Sequence, residues 1–328
     1  MELLEKLTQA SSPSGNENEI CQLIRSEIEK YCDEINVDAL GNLTAHKKGS
    51  GKKIMFAAHM DEIGIIATFI DDNGFIRFSA VGGLYIKNMV HLKVKFSNGT
   101  IGVIGSEEES FNKKAEITKL YVDIGAKDKK SAEEKVKIGD TAVFIGDFFN
   151  SGDTVISKAL DNRAGCYVLI EAMKKIKTTD NDLYFVFTTQ EEVGLRGART
   201  AAFEIEPDFA IAIDVTDTGD TPDAPLMAVK MGNGAAIKVM DRSIMCDSDV
   251  RLHMIETAKD KEIPYQLEIM TDGGTDAGAI HMTGAGVKTG GISIPTRYIH
   301  SPSEMASVAD IQACIELTAA LAEEEWQK

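Results

Sequence analysis

An α/β fold is what the sequence predicts: a mixed, largely parallel sheet sandwiched by helices, with a small β-barrel-like domain inserted into it. Two observations predict it. Four short, continuously apolar runs, "IMFAA" (54–58), "LYFVFTT" (183–189), "FAIAI" (209–213) and "GISI" (291–294), have the pattern of strands covered on both faces, and helical patterns alternate with them. From about residue 68 to 153 the pattern changes to short β segments separated by turn signals. The expected division is discontinuous, with 1–67 and 154–328 forming the larger domain and 68–153 an inserted β-rich unit.

The elements follow in order. In "SGNENEICQLIRSEIEKYC" the residues Ile20, Leu23, Ile24, Ile28 and Tyr31 share one helical stripe, and Asn16 with Glu19 has the spacing of a capping box. "IMFAA" is then the first central strand. Within the insertion, "GFIRFSAV", "MVHLKVKF", "GTIGVIG" and "TAVFIGDF" read as strands, "DDNG" and "SNGT" as turns, and "EEESFNKKAEITK" as a solvated loop. Three helices are expected from "DNRAGCYVLIEAMKKIK", "DSDVRLHMIETAKDK" and "SVADIQACIELTAALAEEEW", each opening on a cap or an acidic first turn.

Length and charge bound the function. A chain of 328 residues exceeds the usual single core, and 43% apolar with 27% charged residues is the composition of a soluble globular protein. The net charge of -17, from 35 basic and 52 acidic side chains, repels phosphate backbones and anionic lipid, so nucleic acid and membrane are excluded as expected partners. The five cysteines are scattered without a CxxC pair, which predicts reduced thiols and no thiolate metal site. An acidic amino terminus and the lack of any 18-residue apolar run lead to the expectation of a cytoplasmic protein.

Ionisable side chains recur where the apolar runs end: His59 and Asp61 after the first, Glu191 and Glu192 after the second, Asp214 after the third, and His300 beyond the fourth. Asp161 adds a carboxylate at the start of a helical pattern. Ligands bind at the carboxyl ends of strands in open α/β sheets, so these residues are expected to converge on one cleft. Two imidazoles with several carboxylates suit zinc, cobalt or manganese, in number enough for two ions, and cations relieve the repulsion of clustered carboxylates. The spacing of His59 and Asp61 would aim both toward one face of an extended strand, where Asp61 could hold the free nitrogen of a metal-bound imidazole. Each residue alone is unremarkable, since Asp161 would serve as a helix cap, Asp214 as a turn residue and His300 as a loop histidine; only the set points to metal. His46, His91, His253 and His281 read as structural or surface residues. The "GGTDAG" turn, 273–278, would either line a pocket or pack.

With those residues in view the chain resembles the M42 family of metallo-aminopeptidases, relatives of the tetrahedral aminopeptidases and of proteins called cellulase M. The matching segments are "AAHMDEIG", "VISKALDNRAG", "TTQEEVGLRGA", "AIDVT", "TDGGTDAGAI" and "IPTRYIHSPSE", in that order over nearly the whole chain. The resemblance implies a zinc-peptidase-like fold and a dinuclear site. His59 and Asp214 would share one ion, Glu192 and His300 the other, and Asp161 would bridge the two. Glu191 falls at the family's general base and Asp61 at the residue that supports the histidine ligand. It further implies removal of N-terminal amino acids from peptides, with zinc, or else cobalt or manganese, and a barrel-like unit that pairs subunits into dimers building a tetrahedral dodecamer. Two departures stand out: "EEESFNKK" replaces a Pro-rich, His-containing stretch, and "DTGDTPDAP" is unusually acidic. Two other functions compete, a glycoside hydrolase of the endoglucanase kind and a non-catalytic metal-binding scaffold. Sugar hydrolysis commonly uses two carboxylates without a histidine-bound metal, and Trp326 is the sole tryptophan for an aromatic platform. A binding-only site has no need of a base beside its ligand.

Overall fold

The computed structural model of the chain describes residues 1–107, 116–222 and 224–326. Helices α1 (Glu2–Gln9) and α2 (Asn18–Ile28) lead to a hairpin of β1 (Glu34–Val37) and β2 (Leu43–Lys47), then to β3 (Lys53–His59). Six strands follow: β4 (Gly64–Ile70), β5 (Ile76–Val81), β6 (Lys93–Phe96), β7 (Ile101–Ser106), β8 (Leu120–Asp123) and β9 (Thr141–Phe144), with helix α3 (Lys129–Glu133) before the last. The chain returns through β10 (Phe149–Asn150) and β11 (Thr154–Ser157) to α4 (Leu160–Lys175), β12 (Asp182–Thr188), α5 (Arg196–Ile205) and β13 (Phe209–Thr216). It ends with β14 (Ala235–Met240), α6 (Ser248–Asp260), β15 (Tyr265–Ile269), α7 (Asp276–Ile280), β16 (Lys288–Arg297), β17 (Glu304–Ser307) and α8 (Val308–Glu323).

The large sheet runs β1-β2-β12-β3-β13-β16-β17-β11-β10, with β14 and β15 branching from β16. The four apolar runs are its centre, and β12, β3, β13 and β16 are parallel neighbours. Their apolar side chains alternate between two helical layers, as the two-residue period of a strand requires. Phe56 and Ala58 pack with Leu4, Ile24 and Leu169 from α1, α2 and α4, whereas Met55 and Ala57 pack with Ala198, Ala202 and Ile280 from α5 and α7. Parallel register pairs Thr188 with His59 and Asp214 with Ser293, so the strands deliver their carboxyl ends to one edge of the sheet.

The inserted strands close into a barrel in the order β4-β5-β8-β7-β6-β9 around Ile65, Phe78, Val94, Phe96, Ile104 and Val122. Its first strand begins at Gly64, ahead of residue 68, and β4 is pinned there by pairing with both β5 and β9. The "DDNG" and "SNGT" turns form as expected, with Gly74 and Gly99 at φ of 87° and 88°, the left-handed region that glycine enters without strain. The segment 108–115, part of the expected charged loop, lies outside the described residues.

One expectation is corrected. Asn16 does not cap α2: the N-cap position is Glu17, without a side-chain capping bond, and the Asn16 amide donates instead to Ser97 Oγ of the barrel at 3.2 Å. His46 has a structural role, its Nε2 lying 2.7 Å from Asp182 and its ring stacking on Tyr184. Among the described residues no helix is long and apolar enough to cross a membrane.

Candidate active site

Five segments deliver side chains to one cleft at the carboxyl edge of the sheet. His59 is the last residue of β3, Asp214 lies in β13, and Asp161 sits at the start of α4. The paired glutamates follow β12, and His300 stands in the loop between β16 and β17. Several connections use left-handed backbone at non-glycine residues: Ala159 before Asp161, Gln190 before the glutamates, Leu195 after them, and His300 itself, with φ between 52° and 61°. Such conformations cost energy and persist only where the surroundings hold them.

The two glutamates share the cleft because β12 stops at Thr188. Gln190 reverses the backbone, and a turn closed by the Gly194 and Leu195 amides on Glu191 O carries both side chains inward. Asp61 fixes that turn: its Oδ1 accepts the Glu191 N–H at 3.1 Å and its Oδ2 the Glu192 N–H at 3.2 Å. Ser14 Oγ donates to the same carboxylate at 2.6 Å, and His59 Nδ1 lies 3.4 Å from it. Asp61 therefore organises the glutamate pair, and it lies beside the His59 imidazole, whose Nδ1 is buried without a hydrogen-bond partner among the described residues.

Asp161 is the centre of the arrangement. Its Oδ1 is 3.1 Å from His59 Nε2, while its Oδ2 is 3.4 Å from His300 Nε2. His59 Nε2 is also 3.6 Å from Asp214 Oδ1, and His300 Nε2 is 3.3 Å from Glu192 Oε2. The ligand atoms thus form two triads, His59–Asp161–Asp214 and Asp161–Glu192–His300, each with its atoms within 4.8 Å of one another. Glu191 stands beside the first, 3.9 Å from His59 Nε2.

The electrostatics are those of crowded, buried acids. Burial opposes charge on His300, but Asp161 and Glu192 prevail and push its pKa up to about 12. His59 is likewise raised well above the ordinary histidine range despite burial, chiefly by Glu191 and Asp214. Burial raises the carboxyls of Glu191, Glu192 and Asp214. Glu192 Oε1 is buried with no hydrogen-bond partner. Four carboxylates, Asp161, Glu191, Glu192 and Asp214, face one another with two imidazoles and no lysine or arginine among the described residues lining the cavity. This nitrogen and oxygen donor set, with an orphaned buried oxygen and no thiolate, fits divalent cations of the zinc, cobalt or manganese kind.

Three contributors were not singled out from sequence. Glu304, buried on β17, accepts the Asp161 N–H on Oε2 at 2.9 Å and the His300 N–H on Oε1 at 2.8 Å, so one carboxylate positions a residue of each triad. Ser14 reaches Asp61 from the amino-terminal loop. Asp276 accepts from Thr188 Oγ1, and burial, aided by Asp214 and Asp61, raises its carboxyl to about 7. The available signals were Glu304 in the segment "IHSPSE" and Asp276 in the "GGTDAG" turn. The cavity above the triads measures about 520 Å³ and includes Gly83 and Tyr85 from the barrel side and Gly273, Gly274 and Thr275 from the "GGTDAG" turn. Trp326 lies away from it, buried against Phe209 and His253.

A family model described as M42 glutamyl aminopeptidase matches residues 41–317. A relative from Acetivibrio thermocellus, itself named only provisionally as an aminopeptidase, is 56% identical over 317 residues, 96% of each chain. Among solved structures, the Pyrococcus horikoshii TET1 peptidase, described as assembling into a tetrahedron or a large octahedral shell, superposes with a TM-score of 0.89 at 36% identity, covering 98% of this chain and 99% of that one. A Thermotoga maritima structure described as an endoglucanase superposes with a TM-score of 0.83 at 32% identity, covering 98% and 96%. The fold, the ordered motifs and the buried acidic cleft agree with the first three of these likenesses: the chain belongs to the M42 peptidase family and is an aminopeptidase.

Proposed function

We propose that this aminopeptidase releases N-terminal amino acids from peptides with two divalent cations, one held by His59, Asp161 and Asp214 and the other by Asp161, Glu192 and His300. The observation that carries the reading is Asp161, whose two carboxylate oxygens each face a different triad. When bound, such a cation pair supplies Lewis acidity, polarising the scissile carbonyl and lowering the pKa of an attacking water. Glu191, buried beside the first triad with a raised carboxyl, takes that water's proton and returns it to the departing amine nitrogen. Asp61 keeps the His59 ring and the Glu191–Glu192 turn in register, and Glu304 does the same for the backbones of Asp161 and His300. Zinc is the first candidate metal, with cobalt or manganese admitted by the same donors.

The barrel, with the unit expected over 68–153, serves as the dimerisation domain, and dimers build a dodecamer; the P. horikoshii assembly supports this reading. Light scattering of the purified chain tests it. For the chemistry, Glu191→Gln in the metal-loaded enzyme should lower kcat by roughly 100- to 10,000-fold while the bound metal stays constant. Near-full turnover with both metals bound would remove Glu191 as the base.

The likeness to the T. maritima structure keeps a second reading in play, hydrolysis of β-glucans. Amino-acid p-nitroanilides assayed beside carboxymethylcellulose, with and without chelator, separate the two. The buried Trp326 leaves no tryptophan face at the cleft for a sugar ring, which favours the peptidase.

A further inference from the structure

The Glu191–Glu192 turn is held by more than Asp61. Gln190, past the end of β12, takes left-handed backbone at φ 56°, and from there three consecutive backbone N–H groups have no strand to pair with. Such donors need other acceptors once they leave water. Two buried carboxylates supply them: Glu17 Oε1 accepts the Gln190 N–H at 3.2 Å, and the two Asp61 oxygens accept those of Glu191 and Glu192. Glu17 occupies the N-cap position of α2 without capping it. Its side chain folds back instead, and the same oxygen also takes the Gly15 N–H at 2.8 Å. Ser14, which donates to Asp61, belongs to the same short segment.

That segment is itself anchored. The Ser12 N–H donates to Glu62 Oε1 at 3.0 Å, and its carbonyl accepts the Glu62 N–H at 3.2 Å. Arg163, wholly buried, donates to the carbonyls of Leu7, Ala10 and Ser12 at 2.6, 3.2 and 3.4 Å. Arg163 and Lys158 both pair with Glu62, at 3.1 and 2.6 Å. Lys158 and Arg163 flank Asp161 in the chain, so the stretch that carries Asp161 fastens the amino-terminal segment, and that segment fastens the glutamate turn.

We infer that residues 12–17 form a brace that sets the position of the glutamate turn, with Glu17 and Ser14 as positioning residues for Glu191. The inference rests on the reading of Glu191 as the base. Neither Glu17 nor Ser14 lines the cavity, so their influence passes through the backbone of the turn. A displacement of about 1 Å in a reacting group can cost on the order of 100-fold in rate.

The test compares Glu17→Met, which keeps the length of the side chain but removes its acceptor, with Glu17→Gln, which keeps an acceptor oxygen. In the zinc-loaded enzyme, read with amino-acid p-nitroanilides, Glu17→Met should lower kcat about 10- to 100-fold. KM should stay unchanged, because the lost positioning matters only in the transition state. Glu17→Gln should recover most of the rate. Hydrogen exchange of the metal-free protein, followed by mass spectrometry, reads the brace without activity. The peptide containing residues 190–192 should exchange faster in Glu17→Met and at the native rate in Glu17→Gln, while native exchange in α8 shows the fold intact. Unmoved exchange at 190–192 in Glu17→Met, a native kcat there, or equal losses in the methionine and glutamine variants overturn the inference. If Glu17→Met fails to fold, Ser14→Ala takes its place: faster exchange at 190–192 with a lower kcat upholds the brace, and native values overturn it. Should the wild-type enzyme cleave no p-nitroanilide, the aminopeptidase reading fails separately, and the exchange comparison still decides whether Glu17 holds the turn.

Discussion

Replacing Glu304 with glutamine perturbs both triads through one side chain that need touch neither cation. In the native chain each carboxylate oxygen accepts one backbone N–H, from Asp161 at 2.9 Å and from His300 at 2.8 Å. Glutamine offers a single acceptor oxygen, and its amide nitrogen would face the other N–H donor to donor. A buried N–H left without an acceptor costs about 1–3 kcal/mol. At about 2.1 cal/mol/K per residue, a loss of about 1–3 kcal/mol lowers Tm by roughly 1.5–4.5 °C for a chain of this size. The functional effect should be larger, because Asp161 and His300 lose their fixed backbones together, and outer supports of metal ligands typically contribute about 10- to 100-fold in affinity. Competition with a chromophoric chelator measures that affinity and calorimetry measures Tm. A Glu304→Gln variant with native metal affinity would refute the idea that Glu304 couples the triads, whatever its Tm.

Two further perturbations follow from the same geometry. Gly82, at φ 83°, faces the site so closely that an added Cβ would sit 2.8 Å from Ile63 Cγ2 and 3.0 Å from Glu192 Oε2; Gly82→Ala should cost about 1–2 kcal/mol of left-handed strain and lower kcat, with unchanged urea unfolding and turnover as the contrary result. Asp220 forms a two-point pair with Arg297, at 3.1 and 2.7 Å, which lowers its carboxyl to about 2. Because that value lies below the unfolded one of about 3.9, the stabilisation is complete above roughly pH 4 and is lost as pH falls toward 2. The stability advantage of the native chain over Asp220→Asn should therefore shrink between pH 5 and pH 2.5 in urea titrations, and a constant advantage would contradict the assignment.

How far the fold was legible depended on the range of the interactions that fix it. The parallel core was readable because β3, β12, β13 and β16 are buried on both faces and so are apolar throughout. The cleft was readable because ligand-bearing residues cluster at the ends of those strands, although the pairing of ligands and the division of labour between Glu191 and Glu192 came from the family resemblance. What escaped depends on contacts between distant segments. Asp161 and Glu304 are 143 residues apart, and Ser14 lies 47 residues from Asp61. No local pattern marks such pairs. Asn16 followed the local rule for a cap, but the barrel offered its amide a competing acceptor in Ser97. The first strand of the barrel is hard to read locally for a related reason: "GIIATFI" is apolar like the preceding strand, and its pairing with β5 and β9 separates the two.

The paired triads are tested most directly by counting metal. Purified enzyme reconstituted with zinc and passed over a desalting column is expected to retain two ions per chain by elemental analysis. His300→Ala should retain one, because the His59–Asp161–Asp214 triad survives, and Asp161→Ala should fall below one, because both triads lose a ligand. Two ions per chain in both variants would contradict the account.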